Sequence, residues 1–269
     1  MADVRHLSRA ALLAAADDNL AVHAGWVHQQ TPGMRVDDRP DLVVVDSGLP
    51  CDTFNLVCRA RLDAGAAPAR IRSTIAGFAQ AGRPFSWWHG PADQPADLAA
   101  YLQAAGLQPA DRELAMAADL GALSLDRPAP DGLNIQRVRT AAQLRDFAEM
   151  IAAGWTPPDP HVLRFYERAA PALLRDDAPI WLYVGRLGDL PVASAELTVG
   201  GGAVGLYNII THAAYRRRGI GTAMTLRPLR DAREHGATVA ILQASDDGAR
   251  VYARVGFAPF GDIREYKPA

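Results

Sequence analysis

Lysine is nearly missing from this chain, with Lys267 the only one in 269 residues, and the positive charge is carried by arginine. That bias says more about codon usage than about chemistry. The net charge of -2 leaves no global basic footprint for nucleic acid. Cysteine is scarce as well. Cys51 and Cys58 have six residues between them, a spacing that fits neither a disulfide framework nor a metal site, so both are expected reduced and buried. The histidines form no zinc pattern. His212, which falls nearest the loop described below, is expected at a solvent-facing strand end. No apolar run approaches the ~20 residues needed to cross a bilayer. The start, Met1 to Leu20, is interrupted by Arg5, His6, Arg9, Asp17 and Asp18, so it is not expected to be a signal peptide. A cytoplasmic protein without membrane or nucleic-acid partners is the expectation.

What is present reads as two domains, since a chain of this length exceeds the roughly 100 to 150 residues of one. Residues 125–132, Leu-Asp-Arg-Pro-Ala-Pro-Asp-Gly, combine prolines, glycine and acid without apolar periodicity, as a linker does. The domains then cover 1–124 and 133–269. In the second, a strand (133–138) leads to a helix opened by Thr140, with Leu144, Phe147, Ala148 and Ile151 at helical spacing. Trp155-Thr156-Pro157-Pro158 stops it, and a further helix occupies about 160–170. Strands are expected at 180–185, 191–199 and 204–211, joined by short Gly-containing turns. A helix over 219–235 follows, with Pro228 inside it, where a kink or break is expected. A strand (238–244), a helix to Val255 and a last strand (263–267) complete a β-α-α-β-β-β-α-β-α-β order.

Between the third of these strands and the helix lies Arg216-Arg217-Arg218-Gly219-Ile220-Gly221. A strand-loop-helix turn points backbone N–H groups and the positive end of the helix dipole at one place, which suits a phosphate. Gly219 and Gly221 let the backbone approach closely, and the arginines add charge-assisted donors. Alone, G-x-G after a strand is a weak signal. Farther on, however, the chain reads Tyr252-Ala253-Arg254-Val255-Gly256-Phe257 after a strand ending at Ser245. Arg-x-x-Gly-x-Gly followed by Tyr-x-x-x-Gly-Phe resembles the acyl-CoA signature of the GNAT N-acetyltransferases over residues 133–269. The resemblance implies a mixed α/β GNAT fold and acetyl-CoA as cosubstrate.

It also implies roles. The pantetheine arm would lie beside Asn208, Ile209, Ile210 and Thr211, with backbone N–H groups near Ile209 and Ile210 polarising the thioester carbonyl. Arg216 to Gly221 and Thr222 would hold the pyrophosphate. Tyr252 stands at the family's tyrosine position and would protonate the departing thiolate. Ser245 replaces an asparagine common in the family, which puts one pantetheine contact in doubt, and Gly248 replaces a small alanine. The acceptor needs help from a base, because an amine with pKa near 10.4 is neutral in only about one molecule in a thousand at pH 7. Glu196 shares a strand face with Ser194 and Thr198. If that face borders the acceptor cleft, Glu196 can draw the proton through water; otherwise it is a solvated strand residue.

The first half resembles a worn copy of the second. Residues 99–109 can be laid over 249–259, which sets Leu102 in the place of Tyr252. No Arg-x-x-Gly-x-Gly separates its strand-like 54–61 from its helix-like 67–81. A scaffolding or substrate-shaping role is therefore expected. Trp155 and Tyr166, with Trp87, Trp88 and the turn 46–52, are candidate pocket residues. The expected reaction is acetyl transfer to the primary amine of a small molecule in a direct ternary complex. Transfer to a peptide or protein amine, favoured by an open groove, and a non-catalytic acyl-CoA sensor are the alternatives. Oligomeric state is not encoded in these motifs.

Overall fold

The computed structural model describes residues 7–269; Arg5 and His6 lie outside the described residues. The first half contributes α1 (Arg9–Gln30), β1 (Arg35–Asp38), β2 (Val43–Asp46), β3 (Asn55–Cys58), α2 (Ala67–Gln80), β4 (Ser86–His89), α3 (Leu98–Ala104) and β5 (Leu107–Asp119). The second half contributes β6 (Leu133–Arg137), α4 (Ala141–Ala152), α5 (Pro160–Leu173), β7 (Ile180–Leu187), β8 (Leu190–Gly200), β9 (Ala203–Thr211), α6 (Ile220–Glu234), β10 (Val239–Ala244), α7 (Asp246–Val255) and β11 (Ala258–Pro268). The second half follows the order read from its periodicity. The first runs through the same series from one helix onward.

Both halves place a parallel strand pair around a crossover helix, β3–α2–β4 and β9–α6–β10, and the remaining pairings are antiparallel. All strands join one sheet in the order β1-β2-β3-β4-β11-β5-β10-β9-β8-β7-β6. Residues 125–132 carry neither helix nor strand, yet the sheet interleaves across them. β5, the last strand of the first half, lies between β10 and β11 of the second. Its run Ala115-Met116-Ala117-Ala118 is buried throughout, as a strand covered on both faces requires. A second core joins the halves, setting Val27, Leu49 and Phe54 against Phe147, Phe165 and Tyr166. Each such side chain contributes about 1.5–3 kcal/mol on burial, so the halves stabilise one another.

Three expectations need correction. β11 begins at Ala258, not 263, because it pairs with β5 from Ala258–Ala117 to Pro268–Leu107. The strand expected over 54–61 is limited to Asn55–Cys58, since Arg59 turns left-handed at φ 53°. α6 runs unbroken through Pro228. A mid-helix proline costs about 3 kcal/mol, which is offset here by burial of Ile220, Met224, Leu226 and Leu229.

α1 is fixed across the β8–β9 turn by one buried side chain. The Asn19 amide donates to the carbonyls of Thr198, Gly200 and Ala203 at 3.0, 3.0 and 3.1 Å. Its oxygen accepts from Tyr207 at 2.9 Å. Gly205 permits this approach, since a Cβ there would fall 2.0 Å from Asn19 Oδ1.

Candidate active site

β9 and β10 pair only from Val204 to Leu206, opposite Ala240 to Leu242. Beyond that point β9 stays with β8 as far as Thr211, and β10 stays with β5 as far as Ala244. The two strands therefore splay apart. Asn208, left-handed at φ 52°, sits at the register shift that starts the opening. The His212 N–H donates to Val192 at 2.9 Å. Antiparallel pairing alternates, so Thr211 and Ile209 turn their N–H groups toward the open side and Ile210 turns its own toward β8. Arg216 Nε donates to the Thr211 carbonyl at 3.2 Å and ties the next loop to this strand.

That loop has the backbone of an anion cradle. Arg217 and Gly219 are both left-handed, at φ 59° and 79°, and α6 opens directly after Gly219. Its first intrahelical bond is Ala223 N–H to Gly219 C=O at 3.1 Å. The N–H groups of Ile220, Gly221 and Thr222 precede that bond and point out of the helix end. Arg216, Arg217 and Arg218 are exposed around them. A pyrophosphate fits this arrangement, and the splay accommodates an extended arm leading from it.

Across the splay, Ser245 caps α7 by accepting from Gly248 N–H at 3.3 Å. Its hydroxyl proton remains available to a second acceptor. The Tyr252 ring crosses directly over Gly248, where a Cβ would meet Tyr252 Cε2 at 3.1 Å. Burial, with a smaller contribution from the Glu113 charge, pushes the Tyr252 phenol up to about 12, so it carries its proton throughout the neutral range.

Glu113 itself is pushed from an ordinary 4.5 up to about 7, first by burial and then by Asp111 and Glu265. A carboxyl with a raised folded-state pKa stabilises the fold below the unfolded value and loses that contribution as pH rises through the folded one. Glu113→Gln is therefore expected to melt like the wild type at pH 4 and to be more stable at pH 8, by up to about 3 kcal/mol. Parallel thermal scans at the two pH values check this.

Glu196 is buried, and every hydrogen bond around it is directed. His23 Nδ1 lies 2.6 Å from Oε1, Thr198 Oγ1 donates to Oε1 at 3.0 Å, and Asn208 Nδ2 donates to Oε2 at 2.9 Å. Burial pushes the carboxyl up, but the His23 charge and the bonds from His23, Asn208 and Thr198 together outweigh it. They hold the group below its ordinary value. Glu196 is thus an ionised carboxylate one hydrogen bond from the residue that opens the splay. His23 comes from α1, and its ring stacks on Tyr207 at 3.7 Å and 5°. With Nδ1 donating to the carboxylate, Nε2 is left as the accepting nitrogen.

Glu196, His23 and Asn208 line one cavity of about 140 Å³ between the halves, together with Tyr166, Phe54 and Trp88. Tyr166 thus stands where a pocket residue was expected. Trp155 is 40% exposed in the loop after α4 and is not among the cavity walls. Trp87 is wholly buried in the first-half core. His212 is exposed, its ring accepting from Ala214 N–H. Both cysteines are free and buried. Burial pushes the Cys51 thiol up to about 11 and Cys58 higher still, so neither supplies a thiolate. Sequence reading missed His23. The available signal was its spacing, because Asn19 and His23 lie four apart on one helix face, inside an apolar stripe that includes Leu20 and Val27.

In the first half the corresponding features are absent or committed elsewhere. Leu102 is fully buried at the position of Tyr252. Arg59 pairs with Asp38 and Asp18, and Arg61 with Asp17 and Asp93. Among the described residues no helix is long and apolar enough to cross a membrane.

Residues 124–248 match the family model of the acetyltransferase (GNAT) domain. No curated protein matches the sequence. Among solved structures, a GCN5-related N-acetyltransferase from Kribbella flavida is similar over 95% of each chain, at 23% identity and a TM-score of 0.72. A tandem GNAT protein from the clavulanic acid biosynthesis pathway is similar over 99% of this chain and 96% of its own, at 16% identity and a TM-score of 0.62. A GCN5-related N-acetyltransferase from Sphaerobacter thermophilus covers 96% and 91%, at 16% identity and 0.61. At such identities these likenesses speak for the fold, and the family model speaks for the sequence. Residues 124–248 carry the sequence of a GNAT acetyltransferase domain, and the first half repeats its α-β-β-β-α-β-α-β element order within the same sheet.

Proposed function

We propose that the protein transfers an acetyl group from acetyl-CoA to the primary amine of a small molecule, directly and without an acylated enzyme. The observation that carries this reading is the Glu196 carboxylate hydrogen-bonded to His23, set beside the β9–β10 splay in a largely buried cavity. Acetyl-CoA supplies an activated carbonyl and a thiolate leaving group. The chain supplies the rest. Arg216 to Thr222 hold the phosphates, and the Ile209 N–H donates to the carbonyl oxygen, where negative charge develops. Glu196 fixes the His23 tautomer, and His23 Nε2 accepts the proton of the attacking amine. Glu196 is thereby a positioning residue for His23.

Tyr252 faces the sulfur as a donor. From a phenol near 12 to a thiolate near 8.5, full proton transfer is uphill by about 5 kcal/mol, so its contribution is a hydrogen bond held until the thiolate leaves. The buried, high-pKa cysteines support direct transfer over a covalent route. A cavity of about 140 Å³ with mostly buried walls favours a small amine over a peptide.

The test is a calorimetric titration with acetyl-CoA followed by amine-dependent thiol release. Binding near one equivalent with turnover is expected. Tyr252→Phe should keep the binding and lower turnover roughly 10- to 100-fold, the worth of one hydrogen bond to an anion. Cofactor binding without turnover on any amine would mean a sensor, and no binding would remove the proposal.

A further inference from the structure

The cavity between the halves specifies more than an amine. Resting on the acetyltransferase reading, its chemistry can be followed from the charged end inward. At that end stands the Glu196 carboxylate with His23 beside it. The opposite wall is aromatic. Phe54 and Phe165 stack at 3.6 Å and 3°, and Tyr166 meets both edge-on, at 5.8 Å and 88° and at 5.4 Å and 89°. Leu182 and Ile151 close the remainder, both buried.

No arginine or lysine lines this cavity. Burial pushes His28, a wall residue, down to about 4, so it is uncharged at neutral pH and its Nε2 is occupied by the Phe54 carbonyl at 2.9 Å. A carboxylate or phosphate on the acceptor would therefore be buried without a cation. A second ammonium, beyond the one at Glu196, would be buried against aromatic carbon. The volume is as restrictive as the charge. About 140 Å³ is close to that of an apolar cavity that takes one benzene.

We infer that the acceptor is a compact primary amine whose tail is one uncharged ring or a branched alkyl group of that size, with the ammonium end at Glu196 and the tail packed against Phe54, Phe165 and Tyr166. The first half is then part of the specificity pocket, since α1 and the 52–54 turn supply one of its sides. Amino acids and polyamines are excluded as acceptors by the same walls.

The measurement is direct binding to the full-length chain, so that it does not depend on turnover. 2-Phenylethylamine, phenylalanine and spermidine are titrated by calorimetry, without cofactor and again with saturating coenzyme A. 2-Phenylethylamine is expected to bind at least tenfold more tightly than either of the others. Thr53→Trp, which narrows the cavity from its half-buried turn, should weaken that binding at least tenfold with the melting temperature and acetyl-CoA affinity kept. Val27→Phe, which fills the cavity from α1, is the second variant should the first not fold. Equal or tighter binding of phenylalanine or spermidine overturns the inference. So does an absence of 2-phenylethylamine binding in both states, or indifference to a folded filling variant. Failure of the parallel acetyl-CoA titration with amine binding retained would strike the acetyltransferase reading alone.

Discussion

His23→Ala is expected to lower amine turnover at neutral pH by about 100- to 10,000-fold, the usual worth of a positioned general base, while acetyl-CoA binds as before. The imidazole is the one group at the carboxylate that ends in a free accepting nitrogen. The other partners of Glu196, Thr198 and Asn208, both donate to it. Removing the ring also leaves a buried carboxylate with one donor fewer, so the melting temperature is measured beside the rate. Partial rescue by added imidazole would separate lost chemistry from lost packing.

Glu196→Gln gives the complementary readout. An amide in place of the carboxylate keeps the shape but not the charge that orients the imidazole, so turnover should fall roughly 10- to 100-fold with acetyl-CoA affinity kept. Stability carries a separate signature. The Glu196 pKa is held down in the fold, so its contribution is present above the unfolded carboxyl value and is lost only as pH falls through the folded one. Unchanged turnover in a folded Glu196→Gln protein would count against the pair.

Gly219→Glu is expected to weaken acetyl-CoA at least 100-fold. At φ 79° any side chain is strained, and a Cβ here would also sit 3.4 Å from Pro130 Cγ. A left-handed non-glycine residue costs about 1–2 kcal/mol. The carboxylate adds repulsion against the phosphates at the end of α6. A combined loss of about 3 kcal/mol corresponds to roughly 100-fold. Gly219→Ala carries the strain without the charge, and a loss near tenfold would divide the two causes. Wild-type affinity in a folded Gly219→Glu protein would place the phosphates elsewhere.

The first half carries neither an Arg-x-x-Gly-x-Gly loop nor a tyrosine at position 102. Its arginines nearest the equivalent loop are spent on ion pairs to α1 and the β4 region, and Leu102 packs where a phenol would act. Its other elements are indispensable to the second half. β5 fills the sheet between β10 and β11, and α1 carries His23 to Glu196.

Sequence by itself determined the features that depend on neighbouring residues. The Arg216–Gly221 loop, the helix start at Thr140 and the Tyr252–Phe257 motif are each set within one or two turns of chain, where backbone dihedrals and helix termini follow local residue type. The element order of the second half was readable for the same reason, since apolar period is a local property. Only the tertiary structure decided what joins distant segments. The insertion of β5 depends on which strand edge is left unpaired, and its apolar run is equally compatible with several neighbours. The His23–Glu196 contact spans 173 positions, and nothing local to either residue names the other. Whether Glu196 is solvated or buried beside His23 was settled by the packing of α1 over β8 and β9. Burial and partner charge belong to the assembled fold, and they fix the protonation states on which the chemistry depends.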